Sequence, residues 1–335
     1  MIEPTVVLPA AALPDSPAER DSLLQHYVDE RVPHTTRTDN GDWAVRLAVP
    51  PTADYYIDPE LESGLRWWGS DIAVPEIPFA HTRIRDIGVC LSDAWTLAFW
   101  SDYFGRTGGV PPSVTVIHLD DHDDLMTPRL TTTGEGTFRD MVNNEEFSLT
   151  DSAGVRSAIA TGAIGMGSFL APLLHTAEHT QVLHLCDTRY ADTRQGEFSL
   201  VATPEPDTLL HPGAARPGVR FGPPRTGIAG ECGSYRVDRD LPALLGHVDD
   251  RPVLLHIDLD FFNNRFNGDS DWRSTPARHD PPRHEVLRRV EAVVAQLQPV
   301  RSRIVDVTIG VSPGFFPAEL WQPVCEKLVN ALSEC

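Results

Sequence analysis

The apolar and polar positions of the chain change their rhythm near residue 83. Before it, proline, acidic and aromatic residues are mixed, as in Asp54-Tyr55-Tyr56 and Trp67-Trp68, without a regular alternation of strand and helix patterns. Residues 1–82 are therefore expected to form an irregular cap packed on a later core, not a separate domain. After it, short β-branched runs alternate with segments of helical periodicity. Ile84–Leu91 reads as a buried strand and Asp93–Phe104 as a helix with Asp93 at its N-cap. Val114–Leu119 is a second apolar run, and it ends abruptly in charge. Helical patterns at Val155–Thr161 and Phe169–Glu178 lead to a strand at Gln181–Cys186. The Pro- and Gly-rich stretch 203–234 reads as a long surface loop. A helix at Leu241–Gly246, a strand at Pro252–Leu259 and an amphipathic helix at His284–Leu297 follow. A strand at Arg303–Ile309 and a helix opening near Pro317, a residue suited to a first helical turn, complete the pattern.

Strands alternating with helices predict an α/β class with a mostly parallel sheet flanked by helices on both faces. Ligands of such sheets bind beyond the carboxyl ends of the strands, so the residues directly after each apolar run are where chemistry is expected. Two runs stand out. Val114–Leu119 leads into Asp120-Asp121-His122-Asp123-Asp124, and Val253–Ile257 leads into Asp258-Leu259-Asp260. In an extended chain Asp120, His122 and Asp124 point in related directions, as do His256, Asp258 and Asp260. Carboxylates so crowded repel one another unless a cation neutralises them. Oxygen donors suit Mn²⁺ or Mg²⁺, and an imidazole shifts the preference toward transition metals. Two such strand ends side by side could hold a pair of metal ions. His256 reads either as a ligand or as a satisfied core histidine.

Composition narrows the function classes. The chain has 335 residues, 41% of them apolar, enough for a sizeable core, and a formal charge of −20. That charge repels nucleic acid phosphates and anionic lipid, which argues against both as partners. It either serves solubility or helps attract a cationic substrate. No apolar stretch is long enough to span a membrane, and Met1-Ile2-Glu3-Pro4 lacks the features of a secretory signal. Five scattered cysteines fit a reduced, cytoplasmic protein, with Cys90, Cys186 and Cys232 buried and Cys325 and Cys335 incidental. A homo-oligomer is compatible with these features.

The pair Asp120-x-His122-x-Asp124 and Asp258-x-Asp260, roughly 130 residues apart, resembles the metal motifs of the ureohydrolase superfamily, which contains arginase and agmatinase. Leu130-Thr131-Thr132-Thr133-x-Glu135 is similar to the arginase loop at that place. Gly165–Pro172 and Ser312-Pro313-Gly314-Phe315 are similar to a divergent branch that includes peptide arginases. The resemblance covers roughly residues 83–330 and implies a three-layer arginase-like fold, with 83–335 as the catalytic domain. It further implies two Mn²⁺ ions held by Asp120, His122, Asp124, Asp258 and Asp260, with Asp124 also moving a proton to the leaving nitrogen. Arginases carry a further metal-binding His in Gly-Gly-Asp-His-Ser, where this chain has Leu91-Ser92-Asp93-Ala94. Asp93 is therefore either a substitute ligand or only the helix cap. The proton-shuttling His found in arginases after the first motif has no counterpart between His122 and His175. Glu319 stands where arginases bind substrate, and reads either as a guanidinium-orienting carboxylate or as a first-turn acidic residue. Asp187 stands where they contact the substrate amino acid.

The activity so implied is hydrolysis of a guanidino group, in an arginine-containing peptide or a small guanidino substrate, to an amine and urea. A water between two metal ions has its pKa lowered and supplies hydroxide. A single-metal amide hydrolase and a non-catalytic binding protein with a degenerate site are the alternatives. Trp67 and Trp68 either line a peptide groove or pack internally.

Overall fold

The computed structural model describes residues 2–28, 30–69, 72–187, 195–223, 229–277 and 279–333. Its centre is a nine-stranded mixed sheet. The strands in chain order are β1 (Thr5–Leu8), β2 (Val32–Arg37), β3 (Trp43–Ala48), β4 (His81–Ile84), β5 (Ile87–Cys90), β6 (Ser113–Leu119), β7 (Leu130–Gly134) and β8 (Thr137–Asp140). They continue with β9 (Glu146–Ser148), β10 (His179–Leu185), β11 (Gly196–Pro206), β12 (Ala215–Phe221), β13 (Glu231–Asp238), β14 (Val253–Asp258) and β15 (Ile304–Gly310). The central order is β12-β11-β13-β10-β6-β14-β15-β5-β4. From β13 to β5 every neighbouring pair is parallel, and antiparallel strands close both edges.

The inner strands are apolar throughout because both of their faces are covered. Along β6, Val114 and Val116 join a core with helices Trp95–Thr107, Ser152–Thr161 and Leu170–Leu174, while Ile117 and Leu119 join the opposite core. That second core takes in helices Leu61–Trp68, Leu241–Leu245, Arg283–Leu297 and Trp321–Ser333. The product is an α/β sandwich, as the alternation of patterns predicted.

Four expectations need correction. The run Ile84–Leu91 is not one strand: Arg85, at φ 57°, turns the chain and makes β4–β5 an antiparallel hairpin. The helix expected over Phe169–Glu178 is a single turn and a half, Leu170–Leu174. The stretch 203–234 is not a single loop: its described residues include the end of β11, β12 and the start of β13. Its prolines are tolerated because β11 pairs with β13 only over Gly196–Val201 and with β12 over Leu200–Pro206. Pro204 and Pro206 thus lie beyond the β13 pairing, and Pro217 is on the edge strand, where a missing N–H costs no ladder bond. The N-terminal region, finally, is regular: β1, β3 and β2 form an antiparallel sheet packed beside helix Pro17–Val28. Arg31 and Arg129 tie this region to the core through the carbonyls of Ala160 and Tyr27.

The packing is tight where β5 meets helix Trp95–Thr107. A Cβ on Gly88 would lie 2.6 Å from the buried Phe99 ring. Gly88→Ala is expected to lower stability by about 1–3 kcal/mol through overpacking. Urea unfolding followed by circular dichroism measures this; an unchanged midpoint contradicts it.

Candidate metal centre

Three parallel strands present histidines in one register row: His184 of β10 pairs with His118 of β6, and His118 with His256 of β14. All three are fully buried. His118 Nε2 lies 3.1 Å from the His122 carbonyl and so carries its proton there. Its Nδ1 then accepts from His256 Nδ1 at 3.0 Å, which leaves His256 Nε2 with a lone pair. That Nε2 is buried without a hydrogen-bond partner. His184 Nε2 donates to the Asp120 carbonyl at 3.0 Å. Burial holds the pKa of His256 down at about 3 and that of His184 at about 4, so the row stays neutral. This platform fixes the backbone from which the acidic residues project.

Directly beyond it the two motifs converge. Ligand-type atoms of Asp120, His122 and Asp260 lie within 4.8 Å of one another, as do those of His118, Asp120, Asp124 and His256, a group in which both His118 nitrogens are engaged in the row and His256 keeps the free lone pair. Two groups sharing the Asp120 carboxylate are consistent with a binuclear metal site. His122 Nδ1 is 2.9 Å from Asp260 Oδ2, and its Nε2 faces Asn267 Oδ1 at 3.3 Å. Both ring nitrogens thus face acceptors and carry protons in the metal-free protein; the Asn267 contact keeps Nε2–H, so the Nδ1 proton is the one a cation would displace. Asp258 accepts from the Asp260 amide and from Ser312 Oγ. A Cβ on Gly310 would meet Asp258 Oδ2 at 3.0 Å, Asp93 Cβ at 3.5 Å and His256 Nε2 at 3.5 Å, so only glycine leaves this corner open. Asp124 and Ser312 hold the left-handed backbone conformation, at φ 50° and 52°. Such positions cost about 1–3 kcal/mol and cluster at functional sites.

Asp93 is not the cap of the following helix, which starts at Trp95 with Ala94 in the cap position. Its Oδ2 accepts from the Gly167 amide at 2.9 Å, and its Oδ1 is buried without a hydrogen-bond partner. Asp124 Oδ2 is in the same state. Buried oxygens left without donors, beside a histidine with a lone pair, are what a cation-binding set looks like before the cation is counted. The residues therefore fit divalent ions.

Burial and mutual repulsion push the carboxyls of Asp120, Asp124 and Asp258 well above the ordinary carboxylate range. Burial, eased by the Gly167 amide, brings Asp93 up to about 7. For His122 burial disfavours the charged ring, but Asp260, Asp124 and Asp121 outweigh it and raise its pKa to about 10.

These residues line a cavity of about 600 Å³ with Glu30, Tyr56, Met126, Met166 and Phe315 among its other walls. Asp93, Asp120, His122, Asp124, Asp258 and Asp260 are all in it; Asp187 and Glu319 are not. Asp187 pairs with Arg289 at 2.9 Å, and Glu319 with Arg265 at 2.6 Å. Trp67 and Trp68 pack against the second core instead of lining the cavity. Cys325 is buried like Cys90, Cys186 and Cys232, whereas Cys335 lies outside the described residues.

Three contributors escaped the sequence reading. Glu30 arrives from the N-terminal region and accepts from the Met166 amide. Asn267 orients His122 from beyond the second motif. His118 sits inside an apolar run, where its register with His184 and His256 shows only once the strand order is known.

The chain matches no protein-family model and no curated protein, so the functional reading rests on this geometry.

The carboxyls give a pH signature. In the metal-free protein Asp93 keeps its proton up to pH about 7, whereas in the unfolded chain it ionises near pH 4. Its contribution to stability is present below pH 4 and lost as pH rises through 7. Metal ions replace those protons, so stabilisation by Mn²⁺ must grow over the same interval. Thermal unfolding with Mn²⁺ or with chelator is expected to differ by about 5 °C at pH 8 and by less at pH 6. An equal gap at both pH values, or none at pH 8, contradicts the assignment.

Proposed function

We propose that this protein is a metal-dependent hydrolase of guanidino groups, of the ureohydrolase type, which converts arginine side chains within peptides to ornithine and releases urea. The observation that carries the reading is the charge of the cavity. Seven carboxylates line it against one histidine, with no lysine or arginine among the described lining residues. Two divalent ions balance four of those charges, and a cationic substrate suits the remainder. A neutral acyl amide gains nothing from that excess.

Asp120, His122, Asp124, Asp258, Asp260 and Asp93 are the proposed ligands. Hard oxygen donors with one imidazole suit Mn²⁺. When bound, the pair of ions supplies a water of lowered pKa and hence a nucleophile at neutral pH. The water oxygen bonds to the guanidinium carbon, the bond from that carbon to the side-chain nitrogen breaks, and a proton must reach the departing nitrogen. Asp124, whose Oδ2 has no hydrogen-bond partner, is the residue proposed to carry it. Glu30 takes the orienting role that Glu319 does not reach, since a carboxylate pairs with guanidinium through charge-assisted hydrogen bonds. The Met166 amide holds it in place.

The direct test is urea release by the Mn²⁺-loaded protein from arginine-containing peptides, free arginine and agmatine. Urea from the peptides is expected, and its absence from all three substrate classes, with metal shown to be bound, overturns the reading. Asp124→Asn is expected to lower kcat by about 10²–10⁴-fold. Glu30→Gln is expected to raise KM about tenfold or more, the worth of one charged hydrogen bond. A Glu30→Gln protein with unchanged KM removes that residue from substrate binding.

A further inference from the structure

Next to the metal cavity is a second depression of about 430 Å³, walled by Asp123, Leu125, Met126, Val219, Arg220 and Phe221. Asp123 and Met126 line both spaces, so the two are neighbours separated by these side chains. Met126 is 52% exposed, one of few large apolar side chains left open to solvent. The opposite wall is backed by aromatic rings. Phe221 packs edge-on against Tyr235 and Phe198, with ring centroids 5.1 and 5.5 Å apart. Tyr235 Oη in turn reaches the Asp123 carbonyl at 3.3 Å and His184 Nδ1 at 3.0 Å. The wall is thereby tied to the same loop and platform that carry the metal ligands.

Against the seven carboxylates of the cavity, this depression sets one carboxylate, Asp123, and one guanidinium, Arg220. Arg220 is the cationic lining residue, its side chain 66% exposed, and it reaches Glu205 at 3.7 Å, beyond hydrogen-bond distance. An exposed pair of that length binds weakly and leaves guanidinium donors for another acceptor. The carboxylate-lined cavity thus adjoins an apolar shelf that carries Arg220 on its lining, with Asp123 shared between the two. A free amino acid spans only the first; a peptide presents its next residue to the second, since successive residues are about 3.5 Å apart along an extended chain.

Resting on the proposed guanidino chemistry, we infer that the Met126–Phe221 depression is a subsite for the residue beside the target arginine, and that Arg220 selects an aspartate or glutamate there. The occupant is the substrate chain itself.

The test is binding of fluorescein-labelled Gly-Asp-Arg-Asp-Gly and Gly-Lys-Arg-Lys-Gly to the Mn²⁺-loaded full chain, by anisotropy at low salt, for the wild type and Arg220→Glu. Long-range attraction by the acidic surface acts on both proteins nearly alike, so the informative quantity is the ratio of the two Kd values. Reversing the charge at Arg220 is expected to shift that ratio about tenfold toward the lysine peptide. A ratio unchanged between the two proteins overturns the subsite, as does failure of the wild type to bind either peptide. Urea assays on the same samples separate the two claims. A shifted ratio without urea leaves the subsite standing and removes the guanidino chemistry; urea with an unshifted ratio does the reverse.

Discussion

Five buried aspartates, Asp93, Asp120, Asp124, Asp258 and Asp260, share one end of the sheet, each no more than 6% exposed. Two unit charges about 5 Å apart at an effective dielectric of about 20 repel by roughly 3 kcal/mol, and several such pairs act at once here. The fold therefore imposes a choice between protons and cations on these carboxylates. The raised pKa values of the metal-free protein are the proton answer. The oxygens of Asp93 and Asp124 that lack a hydrogen-bond partner, and the lone pair on His256, point to the cation answer.

Much of the surrounding structure serves to hold that repulsive set in place. Parallel pairing of β6, β10 and β14 brings both motifs to the same edge, and the neutral histidine row beneath them donates into the backbone without adding charge. Gly310 keeps the corner between Asp93 and Asp258 open, and left-handed backbone at Asp124 and Ser312 turns the chain back over the cavity. The N-terminal region adds Glu30 and Tyr56 to the cavity wall, so the site is assembled from both halves of the chain. Glu30 adds a further carboxylate to the cavity wall, outside the two groups of ligand-type atoms.

The strand ends were legible in the sequence because fully buried parallel strands are written as unbroken apolar runs, and Val114–Leu119 and Val253–Ile257 end in acid without transition. The two corners of the site that hydrophobic periodicity cannot encode were not legible. Glu30 lies in a region whose polar-rich elements lack a strong periodic signal, and its approach to Met166 depends on tertiary packing. Glu319 and Asp187 follow strands in the expected places, but arginines on neighbouring segments, Arg265 and Arg289, hold them outside. Strands β11 and β12 were hidden by their prolines, which mark a loop in sequence and are harmless where β11 has run past β13 and on the edge strand β12. For Asp93 the sequence left helix cap and ligand equal; in the structure Ala94 holds the cap position and Asp93 Oδ2 accepts from the Gly167 amide.

Whether the carboxylates hold two ions close together is the claim on which the rest depends. Electron paramagnetic resonance of the Mn²⁺-loaded protein reads it directly, because two Mn²⁺ ions sharing a bridging carboxylate are exchange-coupled. A coupled-pair multiline spectrum is expected, and it is lost in Asp120→Ala, the residue common to both groups of ligand-type atoms. A simple six-line spectrum of isolated Mn²⁺ at saturating metal, unchanged by that substitution, would contradict it.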